Sequence, residues 1–395
     1  LIGGDTGYQI YKNGVPATVN DICQYDVATY DRGAKILNVS DLRLTGRYEN
    51  VSPNPTAPSR ITILGVELKV LPGAADALSA FRPGQDVTLL LTSRGEVASA
   101  IDPSVLRTTV VGVVSEIGDT VKVTPLSTFY DAEGKEVVFT GRYSQGAAVA
   151  EKLSGQLVRV SSSQAGVLNV SRFGSTNNNS ALYVSTRTLG STKLSETVTM
   201  FERVGSSTPR PITFEQITRD VIPAHQILYV SRDSANKVNF IVFDDVTGDQ
   251  YTYGFAESTS MAGGTKAVVR VINDNGGGGL GPLTCSTSFP YHAPIGLVAS
   301  VDRLDGHQKA AGTVSLTAVQ NVSRLSFDMD AKTVTIGTMV FPISEEVRSY
   351  NRATGYWYDS GLDGLEEARA YAQTLTVYYD KTPDQGGKIR LVAVG

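Results

Sequence analysis

The sequence is short of the side chains that most often do chemistry: 395 residues hold two cysteines, three histidines, four methionines and one tryptophan. Cys23 and Cys285 are too few and too far apart for a disulfide framework or a four-ligand zinc site, and a single long-range bridge between them is left open. His225, His292 and His307 fit no ligand spacing such as H-E-x-x-H, so a transition-metal site would need remote segments to converge. No G-x-S-x-G turn exists to expose a strained nucleophilic serine, and no G-x-x-x-x-G-K-[ST] loop exists to cradle a phosphate. Lys plus Arg number 35 against 39 Asp plus Glu, a net charge of −4 with no basic block, which argues against nucleic acid as a partner. No apolar run approaches the roughly 18 residues that cross a bilayer as a helix, so this segment is not expected to insert into a membrane. None of these patterns implies a cofactor.

What the sequence has in quantity is β-strand. Runs such as Arg60-Ile-Thr-Ile-Leu, Val87-Thr-Leu-Leu-Leu, Val110-Val-Gly-Val-Val and Ala267-Val-Val-Arg-Val-Ile are β-branched or aliphatic, and each closes on Gly, Asn, Asp or Pro within a few residues. Asn13-Gly14 and Glu133-Gly134 stand where a hairpin turn needs a positive φ. One pattern recurs: an apolar strand, a turn holding Asp, Ser or Gly, and a second apolar strand ending near Val-Ser or Val-Ala. It starts at Gln24, Asp86, Gln156, Gln226, Ala267 and Gln373, with second strands at Lys35, Glu96, Val167, Lys237, Ile295 and Lys388, and it reads as tandem duplication followed by drift. Short segments with apolar residues at helical spacing, Ala74 to Phe81, Ala147 to Leu153, Phe214 to Val221 and Leu365 to Ala372, would plug an end or face of a small sheet. The expected fold is mainly β: tandem small β-barrel or β-sandwich modules built from hairpins, with a few short helices. At about 150 residues per domain the length suits three modules, placed at 1–107, 108–255 and 256–395. Linkers are expected at Val51 to Ser59, Ser175 to Ser180 and Asn273 to Pro294, which are rich in proline, asparagine or glycine.

Candidate chemistry is sparse. Gly276-Gly277-Gly278-Gly279-Leu280-Gly281 is a literal G-x-G-x-x-G after a strand, but Pro282 and Pro290 forbid the helix that should follow, so it reads as a flexible loop. Acidic clusters at Asp244, Asp245 and Asp249, at Asp302 and Asp305, and at Asp359, Asp363, Glu366 and Glu367 read as solvated turn residues that cap hairpins, with structural calcium at one of them as the alternative, although none follows the EF-hand order. Eighteen tyrosines accompany the single tryptophan, with a concentration at Tyr350, Tyr356, Trp357, Tyr358, Tyr371, Tyr378 and Tyr379. Tyr356, Trp357, Tyr358, Asp359 and Asp363 form the candidate glycan or partner surface, since aromatic rings beside acids suit sugar stacking. Cross-strand pairing in a β core is the other use of the same rings.

Two stretches carry a resemblance: Gln226-Ile-Leu-Tyr-Val-Ser-Arg-Asp through Val238-Asn-Phe-Ile-Val-Phe-Asp-Asp-Val-Thr-Gly, and Tyr25-Asp-Val-Ala-Thr-Tyr through Leu44-Thr-Gly-Arg-Tyr-Glu-Asn-Val-Ser. They resemble the β-rich region of large Gram-positive surface proteins that carry S-layer homology domains. The resemblance implies an exported, extracellular, wall- or S-layer-associated structural protein that acts as spacer, scaffold or adhesive stalk, with no enzymatic activity. Its partners would be wall or surface components, and the chain itself through its strand edges. The S-layer homology triplet itself is absent, and Leu1 stands where an initiator Met would, so this sequence is expected to be a piece of a longer protein. The alternative is a glycan-binding or glycan-processing surface protein that uses the cluster around Trp357; a pilus- or phage-type structural component shares the same repeat logic.

Overall fold

The computed structural model describes residues 7–145, 153–172, 178–260, 266–304, 307–370 and 372–395. Most of the expected helix at Ala147 to Leu153, Ser175 to Asn177 of the Asn-rich stretch, Asp305 and Tyr371 lie outside them. The chain is mainly β, with several sheets and small closed barrels, as the strand and turn signals predict.

Among the described residues one five-strand plan is found in four places. Strands 1, 2 and 3 run as an antiparallel meander, strands 4 and 5 form a hairpin, strand 5 lies parallel to strand 3, and strand 4 closes back antiparallel onto strand 1. The second barrel shows it plainly: Val110–Ile117, Val121–Pro125, Phe139–Tyr143, Leu157–Gln164 and Val167–Arg172. Arg142 and Tyr143 run parallel to Val167 and Leu168, and Val110 to Val113 pair with Val160 to Leu157. The third barrel repeats the order with Thr252–Ser260, Ala267–Ile272, Gly279–Cys285, Pro294–Leu304 and His307–Ser315. In the first, Arg43–Ser52, Arg60–Ile63, Val66–Lys69, Asp86–Leu91 and Val97–Ile101 form an open sheet that a single parallel bridge, Val70 to Val97, brings round on itself. In the fourth, strand 1 is interrupted by the 3-10 turn Arg324–Ser326, leaving Thr317–Ser323 and Phe327–Asp328; Thr333–Ile336, Met339–Asn351, Thr374–Tyr379 and Ile389–Val394 complete it. This is the five-stranded Greek-key barrel architecture of which the OB-fold is the common example.

Side-chain alternation explains the closure. In Val66–Lys69 the residues alternate buried and exposed, whereas Val110 to Val114 are buried throughout, because that strand faces the barrel interior on one side and packed neighbours on the other. The expected helical segments occupy one slot of the plan, between strands 3 and 4. There Ala75–Ser79 buries Leu78 in the first barrel and Leu362–Ala370 buries Leu365 in the fourth. Such short helices depend on this packing rather than on propensity. Phe214 to Val221 supplies only the 3-10 turn Phe214–Gln216.

In three of its six copies, at Asp86, Leu157 and Thr374, the recurring hairpin seen in sequence is strands 4 and 5 of a barrel; the copies at Gln24 and Gln226 lie in other sheets. The copy begun at Ala267 is different: Ala267–Ile272 pairs with Thr252–Ser260 and Gly279–Cys285, while Pro294–Leu304 pairs with His307–Ser315. Two expected linkers are likewise internal to barrels. Val51 to Ser59 spans the end of strand 1 and the loop to strand 2 of the first barrel, and Asn273 to Pro294 contains strand 3 of the third. Proline and glycine here mark hairpin turns; the connections from the first barrel to the second and from the third to the fourth are short, whereas a separate seven-stranded sheet lies in the sequence between the second and third barrels. Of the expected boundaries, 107 falls in the connection between the first and second barrels and 255 falls inside Thr252–Ser260.

The chain divides into two compact units. The first comprises Leu1–Asn177, Ser191–Thr199 and Tyr229–Ile241; the second comprises Asn178–Gly190, Met200–Leu228 and Val242–Gly395. The first and second barrels belong to the first unit, where one apolar cluster runs through both, from Leu44, Ile61 and Leu89 to Val123, Phe139 and Val158. The third and fourth belong to the second unit, where each has its own apolar core. Ahead of the first barrel, Gln9–Lys12 runs parallel to Ile36–Ser40, with Val15–Ala17 and Val27–Asp31 on the outer sides.

Candidate functional site

The densest set of converging polar side chains in the second unit surrounds Arg390. The strand Ile389–Val394 is otherwise apolar, so Lys388 and Arg390, two positions apart, project to one side of it. Arg390 is 1% exposed. Its Nε donates to Asp380 Oδ2 at 2.8 Å, and its Nη1 donates to Asp249 Oδ1 at 2.6 Å and to Ser344 Oγ at 3.2 Å. Lys388 Nζ reaches the same Asp249 carboxylate at 3.0 and 2.8 Å. The other Asp380 oxygen accepts the backbone N–H groups of Lys381 and Lys388, each at 2.8 Å. The Arg390 guanidinium lies over the Tyr253 ring at 4.9 Å from its centroid, and the Tyr253 hydroxyl donates to Gly248 O at 2.8 Å. Burial opposes the Arg390 charge, but Tyr253, Asp380 and Asp249 outweigh it and hold the guanidinium above its ordinary pKa.

Glu202 anchors the same loop from its other side and is fully buried. Its Oε2 accepts the Val246 N–H at 2.7 Å and the Thr247 N–H, and its Oε1 accepts the Thr247 hydroxyl at 2.7 Å. Burial pushes the Glu202 carboxyl above its ordinary pKa, against the pull of those donors. Gly248, at φ +69°, passes so close that a Cβ there would fall on the Arg390 guanidinium and the Asp380 carboxylate. The residues between Asp245 and Tyr251, which lead into the third barrel, are thereby clasped to strand 5 of the fourth. A cleft of about 930 Å³ opens beside the clasp, with Glu202, Asp249, Ser344, Arg348, Lys388 and Arg390 among its lining residues. The cationic groups of its floor already face carboxylates or carbonyls; Arg348, for one, donates to Asn273 O at 3.0 Å. Chemically the arrangement neutralises charge and fixes a loop.

The residues singled out in sequence fall into two groups. Trp357 is 5% exposed and belongs to an aromatic cluster between the third and fourth barrels, with Phe255 at 5.4 Å and Tyr350 at 4.7 Å between ring centroids. Its backbone N–H donates to Asn275 Oδ1 and its carbonyl accepts from Asn275 Nδ2, both at 2.7 Å. Tyr358 packs against the fourth barrel's core, while Tyr356 stays half-exposed, edge-on to Tyr358 at 5.4 Å. Asp359 and Asp363 are exposed, the latter in the first turn of Leu362–Ala370, where a carboxylate complements the helix dipole. The five candidates are sequence neighbours, but the structure sends the indole into a core and leaves the acids on the surface.

Of the acidic clusters, Asp249 is paired with Lys388 and Arg390, and Asp245 with Lys381 at 2.8 Å. Among the described residues no three His, Cys, Asp or Glu side chains group as a metal site. Cys23 and Cys285 are free thiols, the latter buried. The glycine run is a hairpin turn between strands 2 and 3 of the third barrel, where Asp274 Oδ1 accepts the N–H groups of Gly276 at 2.9 Å and Gly278 at 2.6 Å. Among the described residues no helix is long and apolar enough to cross a membrane. Sequence reasoning missed Lys388 and Arg390; their signal was a Lys-x-Arg pair inside an apolar strand, a pattern that demands buried counter-charges. No protein-family model, no curated protein and no solved structure matches this chain.

Proposed function

We propose that this chain is a non-enzymatic structural or interaction segment of an exported bacterial surface protein, serving as spacer, scaffold or adhesive stalk in an S-layer or wall-associated assembly. One observation carries the reading: the same small barrel recurs along the chain, and the most buried polar cluster of the second unit is used to lock one barrel to the loop entering its neighbour. A series of like modules suits a spacer, and within each unit neighbouring modules support one another as in other tandem-repeat proteins. The resemblance of the two sequence stretches to S-layer homology proteins supplies the cellular setting. Burial of Trp357 takes its ring out of reach of a sugar, which weighs against the glycan-binding alternative.

The test is cosedimentation of the chain with purified Gram-positive wall sacculi, before and after removal of the secondary wall polysaccharide. A spacer stays in the supernatant in both cases. Pelleting that depends on the polysaccharide would replace the spacer reading with a wall-binding one.

A further inference from the structure

The four-stranded sheet of residues 9–40 keeps one open edge. Val27–Asp31 pairs with Ile36–Ser40 on one side and with no described strand on the other. At the opposite end of the sheet Val15–Ala17 is the outer strand, and Pro16 removes an N–H from it and blunts it. Val27–Asp31 carries neither proline nor lysine and keeps a row of backbone donors and acceptors facing outward. No residue of this strand is buried, whereas Asp86–Leu91, which has a strand on each side, is buried at every position after the first. Ala28 and Tyr30 share one face of it; Tyr30 is 41% exposed and meets the 40% exposed Tyr8 edge-on, with ring centroids 4.7 Å apart. The two ends of the strand differ in charge. Exposed Arg32 and Lys35 follow it. Ahead of it stand Asp21 and Asp233, the latter brought there by Ser234 Oγ, which donates to Gln24 O at 3.2 Å, and by the Cys23 thiol, 3.8 Å from Asp233 Oδ2. Asp31 offsets one of the cations and Lys237, beside Asp233, offsets one of the acids, so the two ends keep opposite net charge.

We propose that Val27–Asp31 pairs antiparallel with the same strand of a second copy of this chain, across a two-fold axis at Thr29, and that the product is a closed dimer. Charge favours this occupant. Antiparallel pairing sets the Arg32 and Lys35 end of each strand against the Asp21 and Asp233 end of the other. Side-chain size favours it as well: an axis at Thr29 puts Tyr30 of each copy opposite Ala28 of the other, so that each ring covers a small neighbour. Because Pro16 blunts the other edge, the sheet offers no second seam and assembly stops at two. The shared edge is five residues long, which places the interface at the small end of specific contacts and the dissociation constant at roughly 10–100 µM. The pairing gives the scaffold reading a partner and takes its biological sense from that reading.

Sedimentation velocity of the pure chain from about 1 to 500 µM, with residue-level amide hydrogen exchange at both ends of that range, tests it. The expected result is a monomer–dimer equilibrium that weakens with added salt, in which alternate amides of Val27–Asp31 exchange about threefold or more slowly at the high concentration. Tyr30→Lys, a change at an exposed site, should raise the dissociation constant about tenfold or more, while Val15→Lys on the blunted edge leaves it unchanged. The proposal is overturned by a chain that stays monomeric at the highest concentration, by a dimer whose Val27–Asp31 amides exchange as in the monomer or that Tyr30→Lys leaves intact, or by growth beyond two copies. No wall material enters this test, so a monomer would overturn the pairing and leave the spacer reading to the cosedimentation result.

Discussion

The two units join their barrels with different chemistry. In the first, one apolar cluster is continuous through both barrels, and the connecting segment is held by neutral hydroxyls: Thr88 Oγ1 lies 2.8 Å from Thr45 Oγ1 and donates to Leu106 O at 2.7 Å, and Thr45 Oγ1 accepts the Thr108 N–H at 2.9 Å. In the second, each barrel keeps its own core, an aromatic cluster stands between them, and charges clasp strand 5 of the fourth barrel to the loop that leads into the third. A continuous apolar junction is stable but forgiving, because burial of area has no direction. A buried ion cluster adds little net stability over an apolar equivalent, yet it penalises every misplacement, since any unpaired member is left charged in a dry site. The second junction is therefore specific more than strong.

The comparison breaks most readily at Arg390. Arg390→Ala should cost about 3–5 kcal/mol, because the buried Asp380 carboxylate loses its counter-charge. Urea unfolding followed by the fluorescence of Trp357, the single tryptophan, reads the second unit directly; a loss below about 1 kcal/mol, the worth of an ordinary hydrogen bond, would erase the contrast. Trp357→Ala should cost a similar amount, about 3–5 kcal/mol, by opening a cavity between the third and fourth barrels. Circular-dichroism melting checks it, and an unchanged melting temperature would mean that the indole is not packed as described. Thr88→Val, nearly isosteric and fully buried, should cost only about 1 kcal/mol by leaving the Leu106 carbonyl without its donor. A loss as large as that of Arg390→Ala would show that the hydroxyl junction is no more forgiving than the ionic one.

The smallest effect is a slope with pH. Burial raises the Glu202 carboxyl above its ordinary value of 4.5, so its protonated form favours the folded state. That contribution is complete below the unfolded value and is lost as pH climbs through the folded one. The stability of the native chain relative to Glu202→Gln should accordingly rise as pH falls from 7 toward 4.5. A flat or reversed difference between the two melting curves would remove Glu202 from the account of the clasp.

Much of the fold was legible because hairpins are local. Asp86 with Glu96, Gln156 with Val167 and Gln373 with Lys388 were paired from alternation and turn residues alone, and the helical slot was seen at Ala74 and Leu365. What closes each barrel was not legible. The parallel contact of strands 3 and 5, as between Tyr143 and Leu168, leaves no turn signal between its partners. The second strand also could not be told by composition from the third or fourth, which is why the Ala267 copy was joined to the wrong partner. The clasp was hidden for the same reason: Asp249 and Arg390 meet only through the fold, and each reads in sequence as an ordinary turn acid or strand cation. Trp357 was noticed as an aromatic among acids, whereas its neighbours in space, Phe255 and Tyr350, place it in a core.

The unlike junctions also bear on how such a chain reaches its native state. Tandem copies of one topology invite strands to be exchanged between nascent modules, a characteristic failure of repeat proteins. The strand Ile389–Val394 brings Arg390 with it, and Arg390 finds Asp249 and Asp380 only in its own place. Inserted into any other barrel, that strand would bury a bare guanidinium among aliphatic side chains. Divergence between the repeats thus disfavours wrongly threaded barrels.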